Sequence, residues 1–234
     1  MNTSEEFNRP QVIFLDLYET MLDMTEVERR LNHLLDSKRG YTLWFELLMQ
    51  HCFADNSYQV FHAFTDIARA TMQMSAKMFG RSLEDNAVND LLRLLEHLPV
   101  HDGVQEGLSR LKDAGFLLVA LTNAPLAIVQ NRMEFTGLIS YFDNILSAET
   151  VKKYKPAKEV YQWALQKMSA TAENALLATT HGWDISGAQN VGLKTAYIKQ
   201  PRRMLYPLAP VPDFVCNNLE ELAELLTTGG QHQR

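Results

Sequence analysis

Short apolar runs punctuate this 234-residue chain, and they restrict its fold more than any other feature of the sequence. The runs are residues 12–15, 116–121, 175–178 and 195–198. The first ends abruptly at Asp16, the second at Thr122 and the third at Thr179. Continuous apolar runs of about four to eight residues are typical of strands that are buried on both faces of a parallel sheet. We therefore expect these segments to be strands of one parallel sheet.

Stretches with helical periodicity separate the runs after residue 100. They are approximately residues 103–114, 125–136, 156–168 and 184–191. Strands that alternate with helices form parallel sheets, because each helix carries the chain back to the start of the next strand. The sequence therefore predicts an α/β fold with a Rossmann-like, doubly wound parallel sheet.

Residues 23–98 have a different pattern. Leucine, phenylalanine, isoleucine and methionine recur there at helical spacings, and no strand-like run interrupts them. We interpret this segment as a helical cap subdomain that is inserted after the first strand and joined by short polar hinges. The predicted core domain then consists of residues 1–22 and 99–234. Its polar end, residues 227–234, is expected to lack regular structure.

The composition excludes several classes of function. The net charge of -6 and the pI near 5.6 leave no basic face for nucleic acid. No apolar run approaches the ~20 residues needed to cross a bilayer, and the first residues lack the layout of a signal peptide. Cys52 and Cys216 are far apart, so we interpret them as buried thiols in a reducing compartment. We therefore expect a cytoplasmic protein with neither a nucleic-acid nor a membrane partner.

Polar residues cluster at the predicted carboxyl ends of the strands. Asp16 follows the first strand, Thr122 and Asn123 follow the second, and the stretch 180–184 follows the third. Ligands bind beyond the carboxyl ends of the strands in open α/β sheets. Lys155 adds a cation at the start of a predicted helix. Each of these residues alone is a common turn or surface residue, but together they predict one active site.

These residues resemble the four motifs of the haloacid dehalogenase superfamily. The segment 16–20 is similar to the first motif, and residues 122–123 are similar to the second. Lys155 and Asp184 stand where the third and fourth motifs have their lysine and aspartate. The order and the spacings fit across nearly the whole chain, so the resemblance extends well beyond one local match.

Three details resemble the L-2-haloacid dehalogenases within this superfamily. Tyr18 lies two residues after the first aspartate, Tyr161 follows Lys155 at the family's spacing, and Trp183 precedes Asp184. The resemblance implies hydrolytic removal of halide from short 2-haloalkanoic acids, without a cofactor or a metal ion. Members of that family are commonly homodimers, so the resemblance also implies a homodimer.

Tyr18 separates the two chemistries that the superfamily performs. The phosphatases carry a second aspartate at this position, which protonates the leaving alcohol and whose backbone carbonyl helps to bind the metal. A phenol holds its proton until about pH 10, so it is a poor general acid near neutral pH. Halide leaves as an anion and needs neither a proton nor a metal. We therefore expect a dehalogenase, and the alternatives are a phosphatase for a small phosphate ester or a non-catalytic binding module.

The resemblance assigns a role to each motif residue. Asp16 would attack the carbon that bears the halogen and form an ester, which water then hydrolyses. Lys155, held by Asp184, would orient Asp16 and keep it ionised, since a nearby cation favours a carboxylate. The Thr20 hydroxyl can donate to the same carboxylate.

The substrate-binding residues are predicted from the strand ends and from the inserted segment. Thr122 and Asn123, just before a helix, suit the substrate carboxylate. Tyr18 and Tyr161 are further candidates, the latter as a donor behind the residues that touch substrate.

Phe45 marks one departure from the family. An arginine that binds the departing halide often follows a Leu-Trp pair in the family, but this chain has Phe45 after Leu43-Trp44. We therefore expect an apolar halide pocket with Phe45, Leu48 and Trp183 as its walls and Asn123 as its donor.

Glu19 and His181 mark a second departure, because the better-known family members have glycine and asparagine at these positions. A carboxylate and an imidazole near the ester form a general-base pair, in which Glu19 would orient His181 and His181 would activate water. We expect a hydrogen bond of about 2.6–3.2 Å between them. The other histidines form no ligand set, so they are interpreted as surface or helix residues and no metal site is predicted.

Overall fold

Six parallel strands form a single sheet in the structure, a computed structural model that describes residues 9–228. The strands are β1 (Val12–Leu15), β2 (Leu117–Thr122), β3 (Asn144–Ser147), β4 (Ala175–Thr179), β5 (Lys194–Ile198) and β6 (Phe214–Cys216). Their order across the sheet is β3-β2-β1-β4-β5-β6, so the chain winds outward from β1 in both directions. The predicted α/β fold with a Rossmann-like, doubly wound parallel sheet is confirmed.

The sequence pattern predicts four of these strands and misses β3 and β6. β3 has four residues and begins with the exposed Asn144, and β6 has three residues with Val215 exposed at its centre. Both strands lie at the outer edges of the described sheet. Strands this short, with partly exposed positions, do not form the continuous apolar run that marks a buried strand.

β1 lies at the centre of the sheet and sets the position of Asp16. Leu15 pairs in register with Ala120 of β2 on one side and with Ala178 of β4 on the other. All four residues of β1 are buried, as expected for a strand that is covered on both faces. β2 continues two residues and β4 one residue beyond the level of Leu15, so Asp16 emerges between the ends of β2 and β4.

Four helices lie between β1 and the rest of the core. They are α1 (Thr25–Leu34), α2 (Gly40–Tyr58), α3 (Phe64–Met78) and α4 (Asp85–Leu94), and no strand lies among them in this fully described segment. The chain enters and leaves the segment side by side, because the Asp23 amide donates to the Pro99 carbonyl over 2.9 Å. The division into a core of residues 1–22 and 99–234 and a cap of residues 23–98 stays a prediction.

Five further helices cover the two faces of the sheet. They are α5 (Val104–Asp113), α6 (Leu126–Phe135), α7 (Lys158–Lys167), α8 (Gly182–Gln189) and α9 (Leu219–Thr228). Alternate residues of β1 contribute to two separate hydrophobic clusters, Ile13 and Leu15 to one, and Val12 and Phe14 to the other. The core is therefore built on both faces of the sheet, and its carboxyl edge is left for polar residues.

The last described helix extends further than the polar sequence predicts. The hydroxyls of Thr227 and Thr228 donate to the carbonyls of Ala223 and Glu224, which completes the final turn of α9. The expectation that residues from 227 onward lack regular structure is wrong for these two threonines. Residues 229–234 lie outside the described part of the chain.

Cys52 and Cys216 are buried free thiols, as the sequence predicts. Burial raises the pKa of the Cys216 thiol to about 12, so this thiol is protonated near neutral pH. In the described part of the chain, no helix combines the length and the apolar character that a membrane crossing requires.

Candidate active site

Asp16 is the first residue beyond β1, and its buried carboxylate faces several polar side chains. The Lys155 ammonium donates to Oδ1 over 2.7 Å, and the Thr20 hydroxyl donates to Oδ2 over 2.8 Å. The Thr179 hydroxyl lies 3.4 Å from Oδ2. Burial alone would raise the pKa of Asp16, but Lys155 and His181 lower it below its ordinary value. The carboxylate is therefore ionised near neutral pH and can act as a nucleophile.

Lys155 joins the two carboxylates of the site. Its Nζ donates to Asp16 Oδ1 and to Asp184 Oδ2, both over 2.7 Å, and to the Leu121 carbonyl over 3.0 Å. These bonds use all three N–H groups of the ammonium. Burial would lower the pKa of Lys155, but the two carboxylates raise it above its ordinary value. Lys155 is therefore a fixed cation that orients Asp16.

Asp184 lies in the first turn of α8, and its carboxylate is fully buried. Burial raises the pKa of Asp184; Lys155 opposes this shift and Asp16 adds to it. The Tyr161 hydroxyl donates to Oδ1 over 2.6 Å. A Cβ atom on Gly187 would lie 2.6 Å from this hydroxyl, so glycine is required there for the contact. Tyr161 thus lies behind Asp184 and holds the carboxylate that binds Lys155.

A small cavity of about 20 Å³ lies next to Asp16. The core lines it with Asp16, Tyr18, Lys155, His181 and Trp183, and with Thr122 and Asn123. The inserted helices line it with Phe45, Met49 and Phe64. This volume is comparable with the space that one water molecule needs. All but two of the predicted substrate-binding residues thus meet at one cavity next to the nucleophile.

Leu48 and Tyr161 are the two predicted substrate-binding residues outside this lining. Leu48 is buried in the same hydrophobic cluster as Phe45 and Met49 but does not line this cavity, so it is not where a wall was expected. Phe45 and Met49 are four residues apart on α2 and therefore share a face. Because that face points at the cavity, Met49 takes the place expected for Leu48.

Thr122 and Asn123 reach the cavity from the end of β2. Asn123 Oδ1 accepts from the Lys155 amide over 2.8 Å, and its Nδ2 lies 3.4 Å from the Lys155 carbonyl. Thr122 Oγ1 accepts from the Ala124 amide over 3.1 Å. Asn123 therefore fixes the backbone of Lys155, and one N–H of its amide group is left for a ligand.

His181 is held between two aromatic rings at the cavity wall. Its ring stacks on Phe45 at a centroid distance of 5.5 Å and on Trp183 at 5.0 Å. Its Nε2 lies 3.2 Å from the Tyr18 carbonyl oxygen and 3.5 Å from Asp16 Oδ2. A carbonyl oxygen can only accept a hydrogen bond, so we assign a hydrogen to Nε2.

Glu19 reaches toward His181 without a hydrogen bond between them. Glu19 Oε2 lies 3.7 Å from His181 Nε2, so the expected separation of about 2.6–3.2 Å is wrong. Oε2 is buried without a hydrogen-bond partner, whereas Oε1 accepts from the Tyr41 hydroxyl over 2.8 Å and from Arg203. The φ angle of Glu19 is 62°, in the left-handed region that favours glycine. These contacts therefore hold Glu19 in a strained backbone conformation.

Three residues around Glu19 are not among those that the sequence predicts. Tyr41, His101 and Arg203 line a second, polar cavity of about 180 Å³ together with Glu19. His101 is half-buried in a loop, and its Nε2 lies 3.2 Å from the Glu19 carbonyl oxygen. Two signals point to the others. Tyr41 is one helical turn before Phe45, and Arg203 lies in the loop at the carboxyl end of β5.

No metal-binding group of side chains is found in the described part of the chain. Within residues 9–228, no group of three histidine, cysteine or acidic side chains is placed so that it could hold a metal ion. The Tyr18 side chain brings no carboxylate to the site, and its hydroxyl accepts a hydrogen bond from Arg132 over 2.9 Å. Whether the reaction needs a metal stays a prediction for experiment.

Sequence comparison identifies the family of the chain. Residues 12–198 match the family described as Haloacid dehalogenase-like hydrolase. The chain is 23% identical over 218 residues to the (S)-2-haloacid dehalogenase of Pseudomonas sp. (strain YL), which covers 92% of this chain and 94% of that protein. It is also 30% identical over 148 residues to the phosphoglycolate phosphatase of Vibrio parahaemolyticus. This match covers 63% of this chain and 64% of that protein.

Structural comparison agrees on the fold. The L-2-haloacid dehalogenase of Xanthobacter autotrophicus superposes with a TM-score of 0.84 at 19% identity, over 95% of this chain and 100% of that chain. The sequence match of residues 12–198 extends from β1 to β5 and includes the segments that supply Asp16, Asn123, Lys155 and Asp184. The chain therefore belongs to the haloacid dehalogenase-like hydrolase family.

Proposed function

We propose that this chain is an L-2-haloacid dehalogenase, which removes halide hydrolytically from short 2-haloalkanoic acids such as 2-chloropropionate. The observation that carries the proposal is the environment of Asp16. Its ionised carboxylate is held by Lys155 and Thr20 and faces a small cavity with aromatic walls. Tyr18 stands where the phosphatases have their second aspartate. The dehalogenase relatives support the same reading, since they align with nearly the whole chain.

In the first step, an Asp16 oxygen attacks the carbon that bears the halogen. A carbon–oxygen bond forms, the carbon–halogen bond breaks, and the halide leaves with the bonding electrons. No proton moves in this step, so it needs no general acid. Lys155 and Asp184 contribute orientation, because they hold the Asp16 carboxylate in one position at the strand end.

In the second step, water attacks the carbonyl carbon of the Asp16 ester and passes a proton to His181. Since Nε2 carries a hydrogen toward the Tyr18 carbonyl, Nδ1 is the ring nitrogen that can accept this proton. The negative charge of Glu19, 3.7 Å from Nε2, stabilises the imidazolium that forms. The intermediate then expels the alkoxide of the 2-hydroxy acid, and His181 returns the proton to that oxygen. Asp16 is left as a carboxylic acid and releases its proton to solvent, which regenerates the carboxylate.

Substrate orientation follows from the two sides of the cavity. The substrate carboxylate binds at Thr122 and Asn123, at the end of β2 and ahead of α6. The halogen lies against Phe45 and Trp183, because the arginine that the family often has is absent. We also propose that residues 23–98 act as a cap, since Phe45 reaches over the nucleophile from α2.

The location and the assembly of the protein belong to the same proposal. The free, buried thiols of Cys52 and Cys216 support a reducing, cytoplasmic location. A homodimer is proposed from the resemblance to the dehalogenases. Light scattering tests it, and a particle of about twice the 26.7 kDa of one chain is expected.

Halide release from chloroacetate, bromoacetate and 2-chloropropionate tests the activity directly. We expect equal rates in EDTA and in added Mg²⁺, and no significant hydrolysis of p-nitrophenyl phosphate. Absence of halide release together with Mg²⁺-dependent phosphate release would favour the phosphatase alternative, for which the phosphoglycolate phosphatase relative is the precedent. Absence of both activities would favour a binding module.

A further inference from the structure

Arg132 is a fully buried cation outside the group around Asp16. It lies on α6, and within the described residues it forms no ion pair with a carboxylate. One terminal nitrogen, Nη2, donates to the Tyr18 hydroxyl over 2.9 Å and to the Leu95 carbonyl. The other two nitrogens, Nε and Nη1, are buried without a partner. A buried guanidinium without a carboxylate is unfavourable for folding, so its presence points to a function.

Two neighbours compensate part of this charge. The guanidinium carbon lies 4.6 Å from the centroid of the Tyr18 ring, in a cation–π contact. Leu95 is the C-cap of α4, so its carbonyl belongs to the negative end of that helix dipole. Neither neighbour carries a full negative charge. A net positive charge therefore remains inside the protein, directly behind a residue that lines the substrate cavity.

Around that cavity, the negative groups of the protein outnumber the positive groups that pair with them, even before an anionic substrate binds. The site contains three carboxylates, those of Asp16, Asp184 and Glu19, and two paired cations, Lys155 and Arg203. With a neutral imidazole, this group has a net charge of -1. A 2-haloalkanoate brings a further negative charge next to the nucleophile. Like charges repel strongly where water is excluded, so a nearby cation is needed to offset the second anion.

We propose that Arg132 is a positioning residue that selects anionic substrates. It fixes the Tyr18 ring at the cavity wall and places a positive charge behind it. Arginine has no hydrogen-bond acceptor, so the Tyr18 oxygen accepts the bond and its hydroxyl hydrogen is available to another group. Arg132 thereby compensates for the family arginine that Phe45 replaces. This inference rests on the proposed function, because that function supplies the anionic substrate.

Equilibrium binding of propionate and of propionamide isolates the charge, because the two ligands have nearly the same shape. We expect Arg132→Met to weaken propionate binding about tenfold or more and to change propionamide binding by less than about twofold. Arg132→Lys restores most of the propionate affinity. In turnover, Arg132→Met raises KM for 2-chloropropionate by a similar factor and changes kcat by less than about threefold. The control Gln130→Met, at an exposed position of α6, should leave the affinity for both ligands unchanged.

Equal weakening of both ligands by Arg132→Met, or unchanged propionate binding, would overturn the inference. The binding measurement needs no turnover, so it also separates the two proposals. A wild-type protein that binds propionate but releases no halide refutes the dehalogenase activity, and the variant comparison still decides the role of Arg132. Absence of propionate binding by the wild type counts against both the dehalogenase activity and the role of Arg132. If Arg132→Met does not fold, Arg132→Gln retains a donor for the Leu95 carbonyl and replaces it.

Discussion

The Nε2 atom of His181 lies 3.2 Å from the backbone carbonyl oxygen of Tyr18. In the phosphatases that the chain resembles, the carbonyl at this position helps to bind the metal. Asp16 Oδ2 and Glu19 Oε2 also surround Nε2, at 3.5 Å and 3.7 Å. An N–H group of the protein itself is thus placed among three oxygen acceptors, next to the nucleophile. This arrangement gives His181 a different environment from that of a surface histidine.

We expect His181→Ala to form the Asp16 ester and then to stall. The first step needs no proton transfer, whereas ester hydrolysis loses its base, and general-base catalysis is typically worth about 10²–10⁴-fold. Rapid-quench measurements would show a burst that approaches one halide per active site, followed by slow turnover. Intact mass spectrometry would show the carboxyalkyl group of the substrate, esterified to Asp16, as added mass on the protein.

Steady-state turnover by His181→Ala at the wild-type rate would exclude His181 as the base. His97→Ala is a suitable control, because His97 is exposed and its ring contacts the Arg93 carbonyl and the Phe135 ring, away from Asp16. This control should retain wild-type turnover.

Asp16→Asn is expected to abolish halide release while the fold is retained. An amide oxygen is a far weaker nucleophile than a carboxylate, so the loss should be on the order of 10³-fold or more. Freshly purified protein is required, because slow deamidation would restore the aspartate. Asp36→Asn, at an exposed position on the inserted segment, serves as the control. Substantial halide release from Asp16→Asn, with an unchanged mass, would show that another group attacks the substrate.

The halide burst is expected to be independent of pH from neutral pH down to about pH 4. Burial opposes ionisation of Asp16, but Lys155 and His181 lower its pKa below the ordinary value. The carboxylate therefore stays ionised, and its contribution to stability is present above the unfolded pKa and is lost as pH falls through the folded one. Burst rates measured by rapid quench across this range test the direction. A burst rate that halves above pH 5 would indicate a raised pKa instead.

Glu19→Gln is expected to slow ester hydrolysis by about ten- to a hundredfold and to leave the halide burst unchanged. The amide retains an acceptor for the Tyr41 hydroxyl but lacks the negative charge that stabilises an imidazolium. Glu19→Gly removes the strain of the left-handed φ angle as well, and it should not restore the rate. Equal slowing of both steps would instead assign Glu19 a role in holding the loop around Asp16.

The contacts of Asp16, Lys155 and Asp184 are those that the sequence makes most predictable. Asp16 follows a strand, Asp184 lies in the first turn of a helix and Lys155 lies three residues before one, and parallel strands bring such positions to one edge of the sheet. The α/β fold follows from the same alternation. Nothing of comparable strength marks the contact between Glu19 and Arg203, since 184 residues separate them and the loop after β5 has no regular pattern.

Arg132 shows a different limit of prediction. It occupies a position on the buried face of α6, with Val129 and Met133. A charged residue among apolar helix positions is a visible signal, but the sequence does not indicate that its partner is Tyr18, 114 residues away. Likewise the helical pattern of α2 predicts a wall of the cavity but leaves open whether Leu48 or Met49 faces it.

Because Leu15 pairs in register with both Ala120 and Ala178, the length of β1 fixes how far the Asp16 carboxylate lies beyond the edge of the sheet. Successive side chains of a strand point to opposite faces, so loss of one residue from β1 would either turn the aspartate away or draw it back below the edge. Such a deletion variant would retain every catalytic residue in its sequence and yet be inactive. The count of residues between Val12 and Asp16 is therefore as much a part of the active site as the carboxylate itself.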